Sequence, residues 1–599
     1  MSRRGKSPAG APDEEGVLGK AYDARMIARL WVYVRPYQVL VGLSLAVLFA
    51  VSAVQLVQPY LLKRAIDGPI RERRPEELPY WAALFIATLL AEFGLRFAQL
   101  YLLERTGQNV VFDLRNAVFS HLQRLPSAFF DRNPVGRLMT RVTTDVESLN
   151  EAFTSGLVLI LADLAKLVAI VVILLAMDWR LALVTFAVLP PMLLLSWGFR
   201  VRIRAAYREV RSRVARLNAF LQEAVSGMRL IQLFRREAHD YGTFTAINGG
   251  HRDAELRGVR YDSAFSAIVD LMGSLTLAGI VWVGGARILG GGASFGTLVA
   301  FIAYAERFFR PLEELSQRYA VMQAAMASSE RIFGLLDTPG GIVSPANPVA
   351  IRGRLRGEVA FERVTFAYEG GEPVLRDLSF RVGAGERIGI VGWTGAGKST
   401  LIKLLVRLYE VSAGRITLDG VDLRDYRLDD LRRGVGVVLQ DPFLFAGTVE
   451  ANVSLGDPRI GPEAVRRAAA MVRADRFIAR LPHGYAEEIR ERGVNLSVGE
   501  KQLLSFARAI AFDPAVLVLD EATSSVDRAT EAAIQQALDV VLRGRTSLVI
   551  AHRLVTVQDA DRVLVLHHGR LHEAGTHVEL MARDEGIYRT LYSLQSATG

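Results

Sequence analysis

Cysteine is absent from all 599 residues. Its absence excludes disulfides, thiolate metal sites and a cysteine-protease domain. Also missing is an apolar stretch near the start, because residues 1–22 are polar and rich in Gly, Pro and charge. No cleaved signal is expected there, and 1–22 reads as a disordered cytoplasmic tail. The formal net charge of +9 could point to nucleic acid, but the basic residues flank apolar runs. That placement is the topological signal of membrane helices and favours anionic lipid surfaces, so no nucleic-acid partner is expected.

Apolar side chains are abundant: 51% of residues are hydrophobic and the mean hydropathy is +0.22. Both are high for a soluble chain of this length and point to membrane segments. A chain of 599 residues also exceeds one hydrophobic core, so at least two domains are expected. The apolar residues are long runs before about residue 320 and short, strand-sized runs after about 350. The expected division is a helical transmembrane domain over 23–335, a linker over 336–350 and an α/β domain over 351–595.

Six segments have the roughly 20 apolar residues that a spanning helix needs. They lie near 39–62, 80–104, 154–177, 179–200, 263–289 and 294–318. Ahead of them, 26–37 carries Arg29, Trp31, Tyr33 and Arg35 and reads as a helix lying in the membrane interface. The polar segment between the fourth and fifth spans is dense in arginine, from Arg202 to Arg260, and is assigned to the cytoplasm. The loops around Asp178 and Arg287 are nearly free of basic charge and fall outside. Residues 63–79 disagree: Lys63, Arg64, Arg71, Arg73 and Arg74 sit in a loop that alternation places outside. Helical periodicity in the cytoplasmic segments, as at Leu217, Phe220, Leu221 and Val225, predicts that the spans continue beyond the bilayer.

The strongest chemical signal is Gly392-Trp-Thr-Gly-Ala-Gly397-Lys398-Ser399. It follows an apolar strand over 387–391 and precedes a helical pattern over 400–408, the context a phosphate-binding loop requires. Glycines let backbone N–H groups turn toward phosphate, and the helix N-terminus adds partial positive charge. Lys398 is placed to neutralise phosphate and Ser399 to give a hydroxyl to Mg²⁺. An apolar strand over 516–519 ends in Asp520-Glu521. Asp520 suits the metal as a hard oxygen ligand, and Glu521 suits the attacking water. A third strand, 547–551, ends in His552, which can hold the γ-phosphate and water in line.

With these motifs the chain resembles an ATP-binding-cassette exporter half-transporter, membrane domain first and nucleotide-binding domain second. The resemblance implies a six-span α-helical domain joined to a RecA-like α/β P-loop domain with an antiparallel β subdomain. It implies ATP and Mg²⁺ as cofactors, with Gly392, Thr394, Gly395, Ala396, Gly397, Lys398, Ser399 and Thr400 around the phosphates. Tyr368 is then the residue that stacks on adenine, Gln440 a metal-contacting link to the membrane domain and Asp527 a contact across a dimer. Phe129-Phe-Asp-Arg-Asn-Pro-Val-Gly136 resembles the first intracellular coupling segment, and 227–237 the second.

The family signature Leu-Ser-Gly-Gly-Gln reads Leu496-Ser497-Val498-Gly499-Glu500 here. In such exporters the signature closes over the nucleotide on the other subunit, with Ser497 and Gly499 the phosphate-facing residues. Val498 adds a β-branched side chain where Gly permits close approach, and Glu500 adds a carboxylate near a polyanion. The P-loop is complete and the signature altered, so a heterodimer is favoured over a homodimeric lipid flippase. The membrane is expected to be the inner membrane of a bacterium.

The substrate class stays open among lipids, amphipathic drugs and peptides. Charges at membrane depth usually face a cavity or a partner. Glu92 with Arg96 and Asp163 with Lys166 have helical pair spacing and read as self-paired. Asp270 is the cavity candidate. An ATP-gated channel or regulator would share these motifs.

Overall fold

The computed structural model describes residues 24–151, 158–351, 353–520, 528–551 and 557–596. The chain forms two compact units. One comprises Met1–Leu122 with Gly136–Asp337, the other Gln123–Val135 with Thr338–Gly599.

The first unit is helical. It opens with the helix Ala24–Val34 and the single turn Arg35–Tyr37, where the interfacial helix is expected. Long helices follow at Gln38–Ala65, Leu78–Leu122, Val158–Met177, Leu189–Ser226, Glu237–Leu289 and Phe295–Leu336. Among the described residues, five helices are long and apolar enough to cross a membrane. Phe295–Leu336, which contains the expected sixth span, is not one of them. Its apolar stretch is interrupted by three charged residues within five positions, Glu306, Arg307 and Arg310. At 1.5 Å per residue, the 53-residue helix Glu237–Leu289 extends about 80 Å against a hydrocarbon core of about 30 Å. That helix is therefore far longer than one crossing of the bilayer requires.

Polar ties hold these helices. The carboxylate of Asp145, 7% exposed, accepts from Arg331 at 2.6 and 3.0 Å and from Ser328 at 3.0 Å. Glu209 accepts from Arg257 at 2.6 Å, joining two helical extensions. At the opposite end, Asp67 accepts from Ser294 Oγ and from the backbone N–H of Gly296, fixing the start of Phe295–Leu336. In the discordant loop, Arg74 pairs with Glu72 and Glu77.

The second unit is built on sheets. Its strands are β1 Val359–Ala367, β2 Pro373–Val382, β3 Arg387–Gly392, β4 Ala413–Leu418, β5 Val421–Asp422, β6 Val435–Val438, β7 Gly447–Thr448, β8 Glu488–Ile489, β9 Val516–Asp520, β10 Thr546–Ile550, β11 Arg562–His567 and β12 Arg570–Gly575. An antiparallel sheet has the order β2-β1-β4-β5, and a six-stranded sheet the order β12-β11-β3-β10-β9-β6. Strands β6, β9, β10, β3 and β11 run parallel, and β12 closes the edge antiparallel. The central strands β9 and β10 are buried along nearly their whole length, which is why they read as continuous apolar runs. Phe361, Leu375, Leu401 and Ile550 pack one side of this core, and Phe477, Phe506, Leu519 and Leu538 the other.

Candidate functional site

Strand register assembles the site. Ile550 of β10 pairs with Ile390 of β3 on one side and Asp520 of β9 on the other, and Val438 of β6 pairs with Leu519. The C-terminal ends of four parallel strands therefore reach one edge, the crevice where open α/β sheets bind ligands. Gly392 to Lys398, Ala551, Asp520 and Gln440 all leave from that edge. Asp520 is the last residue of β9, and Gln440 is exposed two residues past β6. Glu521, Asp527 and His552 lie outside the described residues.

The loop after β3 turns on glycine. Gly397 has φ +97°, and a Cβ there would lie 2.7 Å from Leu375 Cδ2. The helix Lys398–Leu405 starts at once, so its unpaired N–H groups face the loop. Lys398 is 6% exposed. Its ammonium donates to the carbonyls of Gly392 at 2.7 Å and Trp393 at 3.2 Å, folded over the loop it is expected to serve. Thr394, Gly395 and Ser399 are exposed, whereas Ala396 and Thr400 are buried. Backbone N–H groups, an ammonium and a helix N-terminus fit a polyphosphate. Ser399 and Asp520 are hard oxygen donors, fewer than an all-protein metal cage needs, which fits Mg²⁺ held partly by phosphate and water.

Tyr368 is half-buried, and its hydroxyl lies 3.2 Å from Thr400 Oγ1 on the P-loop helix. Its ring meets Phe366 and Tyr409 edge-on, at centroid separations of 4.8 and 5.2 Å. Neither Tyr409 nor Lys403 beside it carried any motif in the sequence. Only the fold brings them to Tyr368.

The signature opens the helix Val498–Ala511, with Ser497 as its N-cap. Glu500 closes a capping box: its carboxylate accepts from the backbone N–H of Ser497 at 2.9 Å, while its own N–H donates to Ser497 Oγ at 3.3 Å. Ser497 Oγ also lies 2.9 Å from Glu500 Oε2. Serine followed three residues later by glutamate was a readable signal for this cap. Val498 is 50% exposed at the first helical position, and Gly499 is buried. In the last turn of the same helix, Arg508 donates to the carbonyls of Asn452 and Phe443, with its basicity lowered by burial.

Among the described residues, the helical unit has an apolar and a polar cavity along the helices Ala24–Val34, Gln38–Ala65, Leu78–Leu122, Val158–Met177 and Phe295–Leu336. One of about 250 Å³ is apolar, walled by Leu30, Trp31, Leu103, Val110, Met322 and Met326. The other, about 360 Å³, is polar and includes Gln55, Glu92, Arg96, Asp163, Lys166 and Arg307. Glu92 accepts from Gln55 and Gln58 at 2.7 Å each, so its hydrogen bonds cross to the neighbouring helix rather than run to Arg96. Arg307 donates to Gln58 Oε1 at 2.6 Å and to the carbonyl of Gln55. Asp163 pairs with Arg318 at 3.3 Å, and Lys166 donates to Gln55 at 2.8 Å. Asp270 is exposed and is not part of either wall.

Both parts of the chain match known families. The ABC transporter transmembrane region matches residues 41–312, and the ABC transporter domain matches 375–524. An uncharacterized ABC transporter ATP-binding protein, YknV of Bacillus subtilis, is 36% identical over 97% of this chain and 96% of its own length. The chain belongs to the ABC transporters. An ATP-dependent lipid A-core flippase of Chromohalobacter salexigens is 37% identical over 95% of this chain and 97% of its own. The probable multidrug resistance protein YheH of Bacillus subtilis is 38% identical over 86% of this chain and 76% of its own. A bacterial Atm1-family ABC exporter, solved with ATP bound, superposes with TM-score 0.73 over 93% of this chain and 98% of its own, at 28% identity. This ABC transporter is therefore an ATP-hydrolysing, multi-pass membrane exporter.

Proposed function

We propose that the chain is one half of a dimeric exporter that moves an amphipathic molecule, a lipid or a lipophilic drug, out of the inner leaflet or cytoplasm of a bacterium. One observation carries this reading: strand register sets the P-loop, Asp520 and Gln440 at one edge in a chain whose other half bears the transmembrane region. Relatives named as a lipid A-core flippase and as a multidrug protein favour amphipathic cargo.

In the proposed cycle Lys398 and the N–H groups of its loop hold the β- and γ-phosphates, and Tyr368 stacks on the base. Mg²⁺, held by Ser399 and Asp520 with Gln440 nearby, supplies charge neutralisation to the phosphates when bound. Glu521 orients or deprotonates the attacking water, and His552 keeps water and γ-phosphate in line. Ser497 and Gly499 cap the nucleotide of the opposite subunit, with Asp527 at the seam. Closure of two such sites draws the cassettes together, and hydrolysis resets them. Val498 at the exposed start of the signature helix favours an unlike partner. The complete capping box at Glu500 favours the second reading, a homodimer.

The test is uptake of a fluorescent phospholipid and of a lipophilic dye into inside-out vesicles. ATP-dependent accumulation of either is expected. Lys398→Ala should abolish it by losing phosphate binding, and Glu521→Gln should bind ATP while turnover falls by about a hundredfold or more. Normal hydrolysis by Glu521→Gln would remove that residue from its role.

A further inference from the structure

The short helix Ser127–Arg132 lies within the first half of the sequence but packs in the same compact unit as the P-loop. Its two terminal charges anchor beside Tyr368. Asp131 accepts a hydrogen bond from the hydroxyl of Tyr409 and lies 3.8 Å from the ammonium of Lys403. Arg132 forms an ion pair with Glu369, the residue directly after Tyr368. Behind these contacts, Lys403 sits 5.5 Å from the ring centroid of Tyr368 and 5.6 Å from that of Tyr409. Lys403 is also part of the P-loop helix Lys398–Leu405.

One cation therefore touches two rings and the carboxylate of Asp131. The ring expected to receive the base is held by the same side chains that hold the short helix. We infer that Tyr409 and Lys403 are positioning residues that report occupancy of the base site on Tyr368 to the segment 123–135. A base stacked on Tyr368 fixes the tilt of that ring. The edge-on contact then fixes Tyr409, whose hydroxyl sets Asp131. Burial, and then the bond to Asp131, push that hydroxyl far above the ordinary tyrosine range, so it stays a donor at any working pH. Tyr409, Lys403 and Asp131 all lie outside the phosphate loop 392–399, so the relay governs coupling and leaves phosphate binding alone. The inference rests on the reading of Tyr368 as the base-stacking residue.

The test is hydrogen exchange of peptides over 123–135 in the full-length protein in lipid nanodiscs, with EDTA to prevent turnover. ATP is compared with tripolyphosphate, which carries phosphates without a base, each at a concentration that displaces a fluorescent ATP analogue. ATP should slow exchange of the segment by about fivefold or more, and tripolyphosphate should leave it near the nucleotide-free rate. In Tyr409→Phe, which keeps the ring and removes the hydroxyl, the difference between ATP and no nucleotide should vanish while the Kd for ATP is held within about threefold. A merely structural Tyr409 would raise exchange equally in both states and preserve the difference. Tyr368→Ala separates the two failures, because loss of base stacking should weaken ATP binding by about tenfold. Wild-type affinity in Tyr368→Ala would overturn the base reading and the relay with it. Weakened affinity there, with protection intact in Tyr409→Phe or equal protection by tripolyphosphate, would overturn the relay alone.

Discussion

At the scale of the residue, Glu500 changes meaning between sequence and structure. Set against the family signature it is a carboxylate where a polyanion should sit. In the fold it completes the N-cap of the signature helix, and the 2.9 Å approach of Ser497 Oγ to Glu500 Oε2 has a consequence for hydrolysis. A carboxylate is only an acceptor, so the serine hydroxyl must spend its proton on Glu500 and not on a phosphate. Glu500→Gln retains the capping box through its amide oxygen and brings an NH2 group that can donate to Ser497 Oγ, which turns the hydroxyl proton toward phosphate. The expected result is a severalfold lower KM for ATP with an unchanged melting temperature. Glu500→Ala loses the cap, at about 1 kcal/mol or about 3 °C in the melting of the ATPase unit. An unaltered KM in Glu500→Gln would show that Ser497 does not compete in this way. The cap was legible in the spacing Ser-x-x-Glu. The bond of Tyr409 to Asp131 was not, since 278 residues separate them and neither has a local pattern that calls for the other.

At the scale of the element, hydropathy located the helices because length and apolar content are local properties. It could not assign the partners of their charges. Glu92 and Arg96 have the spacing of a helical ion pair, but Gln55 and Gln58 on the adjacent helix take the carboxylate, and Arg307 binds the same two glutamines. This network also shows how Phe295–Leu336 carries an arginine at membrane depth: Arg307 is satisfied inside the unit. Arg307→Ala removes one of the cations around the part-buried Glu92 carboxylate and leaves the oxygens of Gln55 and Gln58 without their donor, a loss of about 1–3 kcal/mol. Thermal unfolding in detergent should therefore fall clearly for Arg307→Ala. Adding Glu92→Gln should recover a substantial part, because the glutamines can pair with a neutral amide. Additive losses in the double variant would mean that the two side chains act independently.

At the scale of the whole molecule, composition separated an apolar half from an α/β half, because burial in lipid and burial in a sheet core leave different patterns in the chain. Composition by itself does not group 123–135 with the ATPase unit, since such membership is set by tertiary contacts, and only the resemblance of 129–136 to a coupling segment pointed there. The subunit partner is the remaining question at this scale, and Val498 bears on it. Its half-exposed, β-branched side chain stands at the first position of the signature helix, where the opposite nucleotide is expected to dock. In a homodimer both sites would carry this obstruction, whereas with an unlike subunit only the partner's site would. Mass photometry and ATPase assays on the chain expressed alone distinguish these cases. Pairing with an unlike subunit predicts weak self-association and low turnover, raised by about tenfold or more on co-expression with a half-transporter whose signature has glycine at this position. A stable two-copy assembly with strong, substrate-stimulated hydrolysis would instead establish the homodimer. In that assembly Val498→Gly should leave kcat within about twofold, because a side chain that two working sites already accommodate cannot be obstructing them.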